Sequence, residues 1–350
     1  VRITGLNGID LTRFEFDYDT TWQAFFLDAE LNVYSRYGGR DETSSDGRLS
    51  KESLLTTMRE VLEVHQRRGA ATAAESNLDV HPRPRQAATP EDIPLLKAAH
   101  QGCVHCHQVQ EYRLLQAFHD GRFTSRQLFG FPLLESLGIR IDRAHGHRIE
   151  EVMSDSPAAK AGLAAGDVVT RAGDVPVHSE QDLRWALHRL PEDQQPLLTV
   201  LRAGADPASA RVLVAKLAPE ENWRQTELGW RKSLRSVPLP LGFLGYPLGT
   251  EERRTANFPA DKLAIRVVSI RKIAPLGTRG LAENLALEKG DLIVLLAGHD
   301  ESRTLDEFRS DLLRRFSPGD TVTMTVLRDG RRVELQGPFP DWHTSETSVP

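Results

Sequence analysis

Ala164-Ala165-Gly166-Asp167-Val168-Val169 returns later in the chain as Glu288-Lys289-Gly290-Asp291-Leu292-Ile293. Leu198-Thr199-Val200-Leu201-Arg202-Ala203-Gly204 returns as Met324-Thr325-Val326-Leu327-Arg328-Asp329-Gly330. An internal repeat constrains the fold more than any local propensity, because both copies must make the same folding unit. Within each copy lies an amphipathic stretch, Asp182-Leu183-Arg184-Trp185-Ala186-Leu187 in the first and Glu307-Phe308-Arg309-Ser310-Asp311-Leu312-Leu313 in the second. The pattern predicts a strand, a Gly-Asp turn, a buried strand, a helix and a closing hairpin, made twice.

Ser156-Pro157-Ala158-Ala159-Lys160-Ala161-Gly162-Leu163, followed by Gly166-Asp167-Val168-Val169, resembles the S-P-A-x-x-A-G-L-x-x-G-D-x-(I/V) signature of bacterial PDZ domains of the HtrA type. The resemblance implies a small β-barrel capped by helices, with a groove between one strand and one helix. There the C-terminus of a peptide or protein partner adds as an extra strand, its carboxylate held by backbone N–H groups of a short turn. Leu137-Gly138-Ile139 matches that turn, and the helix carrying Leu183, Leu187 and Leu190 matches the opposite wall. A bulky residue at Gly138 is then expected to obstruct the turn while leaving the fold intact. The other reading of Leu137-Gly138-Ile139 is the plain start of a strand that binds nothing. The second copy departs from the pattern. Ala286 stands where the first has Gly162, and Pro275-Leu276-Gly277 stands where Ser-Pro-Ala would be. Leu241-Gly242-Phe243 offers it a carboxylate turn, crowded by Pro238, Pro240 and Pro247.

Both cysteines of the chain fall in Cys103-Val104-His105-Cys106-His107. C-x-x-C-H is the spelling of a c-type haem attachment site, two thiols for the haem vinyl groups and an adjacent imidazole as proximal iron ligand. On this reading Cys103 and Cys106 hold haem c, His107 is the metal ligand, and a redox partner protein is implied. A distal ligand would come from a histidine such as His100 or His119, or the site would stay open. Met58, Met153 and Met324 each fit an apolar core position. Three other readings stay open: a redox dithiol, a soft-metal site using the thiols with His100, His105 or His107, and a pair of idle thiols. Attached haem would place the protein outside the cytoplasm, in the periplasm or cell envelope.

A net charge of −5 argues against a general nucleic-acid binder. No apolar run approaches the ~18 residues of a membrane helix, so no integral membrane segment is expected. Val1, with no charged-then-apolar leader ahead of it, reads as a processed or trimmed start. Neither G-x-S-x-G nor H-E-x-x-H occurs, so no hydrolase apparatus is legible.

Ahead of the repeat, Phe14-Glu15-Phe16-Asp17-Tyr18 alternates like a half-buried strand. Residues 22–27 and 32–37 read as two more strands, and a helix runs from Ser50 to His65 with Leu54, Leu55, Met58, Val61 and Leu62 on its apolar face. This order resembles the carboxyl half of a thioredoxin-like domain, with the family's active-site cysteines absent and Thr20-Thr21 where a cis-proline is usual. Thr89-Pro90-Glu91-Asp92 reads as a helix start, with Pro94 limiting its regularity. The paired Trp-Arg dipeptides at Trp223-Arg224 and Trp230-Arg231 read as anchors of a linker on a domain surface. The expected organisation is an α+β multidomain chain. It comprises a partial thioredoxin-like domain over 1–66, a linker over 67–88, a helical C-x-x-C-H segment over 89–121, a PDZ-like domain over 122–218, a linker over 219–237, a second PDZ-like domain over 238–338 and a tail over 339–350. As a whole it resembles exported bacterial thioredoxin-like/PDZ proteins. The function this implies is binding of peptide termini, with a haem site for electron transfer or sensing. A thiol–disulfide oxidoreductase using Cys103 and Cys106, or a non-catalytic adaptor, are the alternatives.

Overall fold

The computed structural model describes residues 1–41, 43–68, 80–82, 88–99, 102–203, 211–219, 222–234, 241–270 and 280–340. The chain divides into two compact units, 1–110 with 129–226 and 111–128 with 227–350. His100, Pro238, Pro240 and Pro275-Leu276-Gly277 lie outside the described residues.

In the first unit β1 (Gln23–Leu27) and β2 (Val33–Gly38) form an antiparallel hairpin, followed by α1 (Lys51–Arg68). Ser50 caps α1, its hydroxyl accepting the Ser53 N–H at 3.0 Å. The strand expected over 14–18 does not form. Phe14 and Phe16 instead pack edgewise on Phe25 at 5.4 and 6.0 Å, while the alternate acids turn toward Arg184 and Trp185. Alternation here serves side-chain packing without a ladder. Of the thioredoxin-like expectation, the hairpin and helix are present and the leading strand is not.

The buried face of α1 also differs from the expected one. Ser53, Thr57, Val61 and Val64 face inward, while Leu55, Met58 and Leu62 are 36%, 47% and 55% exposed. The inward face meets polar groups that leucines would leave unsatisfied: Ser53 Oγ bonds the Tyr37 hydroxyl at 2.7 Å and Thr57 donates to the His178 carbonyl at 2.8 Å. Met58 is therefore no core residue, whereas Met324 is fully buried.

A 3₁₀ turn over Pro90–Asp92 precedes α2 (Pro94–Ala99). Pro94, expected to disturb the helix, begins it, because the first helical turn has no use for the missing N–H. The helix α3 (Cys106–His119) follows, with Val109, Leu114 and Phe118 buried.

The first repeat copy runs through β3 (Ile139–Ile141), β4 (Ile149–Val152), α4 (Pro157–Lys160), β5 (Val168–Ala172), β6 (Val175–Pro176), α5 (Glu180–Arg189), β7 (Leu197–Arg202) and β8 (Arg211–Lys216). β3 pairs with β4, and the other strands form a sheet ordered β6-β5-β7-β8. The second copy, in the second unit, runs through β9 (Phe243–Pro247), α6 (Thr250–Thr255), β10 (Ile265–Ile270), α7 (Leu281–Asn284), β11 (Leu292–Leu296), α8 (Leu305–Arg315), β12 (Thr321–Arg328) and β13 (Arg331–Pro338). Its sheet is ordered β13-β12-β11-β10-β9. The leading strand that the sequence left hard to find is β9, with Pro247 at the end of an edge strand where a missing N–H is tolerated.

Among the described residues neither copy closes into the expected barrel. In the first, the two sheets meet at the bridge Arg148–Val168 and through the Gly166 N–H to the Ile149 carbonyl at 2.8 Å, and bulges interrupt the ladders at Arg140/Ile141 and Val169/Arg171. In the second, β9 and β13 remain opposite edges of one open sheet.

Trp223 joins the core of the first copy, with the Arg224 guanidinium 4.2 Å from its ring and bonded to the Leu190 carbonyl at 3.0 Å. In the second unit Arg231 covers Trp230 at 4.4 Å. Trp223 is thus a core residue, not the expected anchor on a domain surface, and Trp230 is 9% exposed.

Candidate functional site

The repeated motifs build the same two devices in each copy. α4 begins with Ser156, whose Oγ accepts the Ala159 N–H at 3.1 Å, and with Pro157 in the first helical position. It ends in a Schellman motif, Gly162 N–H to the Ala159 carbonyl and Leu163 N–H to the Ala158 carbonyl. α7 ends identically, with Ala286 bonded to Glu283 and Leu287 to Ala282. Gly162 and Ala286 both adopt the left-handed conformation, at φ +81° and +53°. The second device is an ion pair between a buried aspartate and a partly exposed arginine. Arg202 grips Asp167 through two bonds of 2.7 Å and the Gly162 carbonyl at 2.8 Å. Arg328 grips Asp291 through two bonds of 2.8 Å and the Ala286 carbonyl at 2.9 Å. The recurrence of Gly-Asp and Val-Leu-Arg is thus one interaction made twice.

These devices hold the strand–helix arrangement of the first copy. A 3₁₀ turn over Leu134–Leu137 ends at Gly138, whose φ of +79° is left-handed. Gly138 N–H bonds the Glu135 carbonyl at 2.9 Å, and its own carbonyl accepts the Met153 N–H at 2.9 Å. A side chain at Gly138 would place its Cβ 2.1 Å from Ser156 Cβ. The expectation that a bulky residue there spares the fold is therefore corrected, since the turn is wedged against the cap of α4. β3 follows directly and, among the described residues, takes a partner strand on one side only. The helix α5, whose Leu183 and Leu187 share a core with Ile139 of β3, is capped by Ser179, which accepts the Asp182 N–H at 3.1 Å.

Leu137, Ile139 and Leu183 are 0% exposed and Leu187 2%, all in one hydrophobic core with Leu134, Val169 and Val200. The structure thus brings the five expected groove residues together and leaves none of them open to water. Missed by the sequence reading were the charged residues around them. The Arg48 guanidinium, 11% exposed, meets Glu135 at 2.8 Å, Asp41 at 3.3 Å and also Glu180. Burial opposes its charge, and the Glu180 and Glu135 carboxylates outweigh that, raising its pKa above the ordinary arginine value. On α5, Asp182 is fully buried and accepts from Ser35 Oγ and Arg36 N–H, both at 2.7 Å. Burial pushes the Asp182 carboxyl pKa up in spite of these bonds. Arg184 reaches Asp17 at 3.0 Å, and the Arg36 guanidinium lies 3.8 Å from the Trp185 ring. No periodicity marks such partners, because they lie far apart in sequence.

The cysteine stretch is anchored by its middle. Val104 is buried, its N–H bonded to Asn7 Oδ1 at 3.0 Å and its carbonyl to Leu6 N–H at 2.9 Å. Cys103 is exposed, and Cys106, half-buried, opens α3 with His107 behind it. Neither cysteine is in a disulfide. Burial raises the Cys106 thiol pKa, which works against a thiolate nucleophile there. The His105 and His107 rings lie parallel with centroids 6.2 Å apart. Among the described residues no group of three or more His, Cys, Asp or Glu side chains is placed to hold a bare metal ion. A haem would ask for two thiols and one imidazole, the donor types that Cys103, Cys106 and His107 carry.

Residues 135–214 match the PDZ domain family. Over 199 residues, 57% of its length, the chain is 28% identical to a probable periplasmic serine endoprotease DegP-like of Pseudomonas savastanoi pv. phaseolicola. It is 27% identical over 201 residues to a protein of the same description from Ectopseudomonas mendocina. The chain spans 38% and 39% of the lengths of these curated relatives. Among solved structures, an HtrA-type protease AlgW with decapeptide aligns with 40% of each chain at 17% identity and a TM-score of 0.23. The relatives are periplasmic, in agreement with the extracytoplasmic location expected from the sequence, and among the described residues no helix is long and apolar enough to cross a membrane. The chain thus carries a PDZ domain over residues 135–214 and is similar to periplasmic proteins of the DegP type.

Proposed function

We propose that this is an extracytoplasmic binding protein whose first PDZ domain takes the free C-terminus of a peptide or protein. One observation carries the reading: among the described residues β3 is paired on one side only, starts from the left-handed Gly138 turn and shares a hydrophobic core with Leu183 and Leu187 of α5. A strand with a vacant edge supplies backbone hydrogen bonds to an added strand, and N–H groups at a tight turn suit a terminal carboxylate. A single added strand buries little area, so affinity of the order of micromolar, about −8 kcal/mol, is expected once the groove is accessible. The relatives are described as serine endoproteases; for residues 135–214 the proposal is peptide binding, not hydrolysis.

Titrating the intact chain with peptides ending in an apolar residue, each as free acid and as C-terminal amide, tests this. Free acids should bind at sub-millimolar concentration or better and amides should not. Equal binding of both forms would refute a carboxylate-reading turn.

The Cys103-to-His107 stretch supports a second proposal, covalent haem at Cys103 and Cys106 with His107 as iron ligand. It rests on the exposed Cys103 and on Cys106 and His107 sharing the first turn of α3. Each thioether would form by adding S–H across a vinyl C=C. Protein matured with haem-attachment machinery should retain haem through denaturing electrophoresis, and Cys103→Ala or Cys106→Ala should weaken that retention. Colourless protein from a competent host refutes it.

A further inference from the structure

The side chains that would line the strand–helix groove of the first PDZ domain have no access to water, and residues 46–50 bond to residues that flank it. This segment is tied to both ends of β3 and to the start of α5. Before β3, Glu135 holds the Arg48 guanidinium at 2.8 Å. Just past β3, the Arg143 guanidinium donates to the Leu49 carbonyl at 2.7 Å and the Asp46 carbonyl at 3.1 Å, and Ser50 Oγ donates to the Arg143 carbonyl at 2.7 Å. At the first residue of α5, Glu180 takes the other arm of Arg48. One arginine thus joins carboxylates on the two walls, and the backbone behind it is clamped at the far end of the strand. A peptide added to β3 would run through the same three points.

We infer that residues 46–50 are a built-in cover of the first peptide groove, with Arg48 as its latch. The inference rests on the peptide-binding reading above. The flanking anchors belong to other contacts: β2 is held to α5 through Ser35 and Arg36 on Asp182, and α1 through Thr57 on the His178 carbonyl. Opening of the part of the segment ahead of Ser50 therefore leaves these anchors and the Ser50 cap of α1 in place. Peptide binds the fraction of molecules whose cover is open, so the apparent dissociation constant exceeds the intrinsic one by the inverse of that fraction.

The experiment compares the intact chain with Arg48→Ala and, separately, Arg143→Gln, titrating each with one free-acid peptide ending in an apolar residue and its amide. Arg143 is exposed, so its replacement removes a clamp at little risk to the fold, and circular dichroism checks both variants. The expected result is binding on the order of tenfold tighter in both variants, for the free acid only. Unchanged affinity in both, with the free acid still preferred, overturns the cover and leaves the peptide reading standing. No binding below about a millimolar in any of the three proteins, or equal binding of acid and amide, overturns the peptide reading and the cover with it.

Discussion

Gly162 and Ala286 occupy the same left-handed position at the end of the same short helix, which makes them a matched test of how backbone conformation sets stability. No heavy atom lies within 4 Å of a Cβ built on Gly162, so Gly162→Ala introduces no clash and the effect is conformational. A left-handed residue with a Cβ costs about 1–2 kcal/mol. Replacing glycine also removes freedom from the unfolded chain, which returns about 0.4–1 kcal/mol. The net expectation is about 1 kcal/mol lost for Gly162→Ala and about 1 kcal/mol gained for Ala286→Gly. For units of this size that is a shift of about 2–4 °C in the melting temperature, downward in one case and upward in the other. Thermal scanning with urea midpoints as an independent measure distinguishes the two. The reasoning fails if Ala286→Gly lowers the melting temperature, or if both substitutions move it the same way.

Arg202→Met strands the buried Asp167 carboxylate, and a loss of about 2 kcal/mol is expected, held down because the guanidinium is over a third exposed and water can replace part of it; Arg328→Met should cost a similar amount through Asp291, and urea midpoints read both. Gly138→Ala, which drives a Cβ into Ser156 at 2.1 Å, should cost about 3 kcal/mol or more, and Ser156→Gly in the same chain should recover part of it, so a fully stable Gly138→Ala protein would contradict the geometry. Glu15 carries a pH dependence: burial works to raise its pKa, but His188 and then Arg189 outweigh it and hold the carboxyl at about 2. Its contribution, up to about 3 kcal/mol, is present above the unfolded pKa near 4.5 and is lost as pH falls through about 2. Glu15→Gln should flatten the acid limb of a stability–pH curve, and an unchanged limb would refute this.

The repeated Gly-Asp and Val-Leu-Arg segments, the Ser-Pro cap and the left-handed glycine were legible because each acts within one helix turn, hairpin or repeat. Local rules, capping, turn chemistry and strand periodicity, determine such features wherever they occur. Leu137, Ile139, Leu183 and Leu187, expected from the pattern to lie along one groove, share one hydrophobic core. What those rules do not reach is which surfaces meet. Phe14-to-Tyr18 alternates like a strand, yet its aromatics pack on Phe25 and its acids serve Arg184 and Trp185. The face of α1 with the most leucines stays exposed, because Tyr37 and the His178 carbonyl select Ser53 and Thr57. Arg48 looks like any surface arginine until the fold places Glu135 and Glu180 on either side of it. The geometry of each turn and cap follows from neighbours in the chain, whereas the ion pairs of Arg48 join partners separated by roughly 90 to 130 positions, which only tertiary packing brings within hydrogen-bond reach.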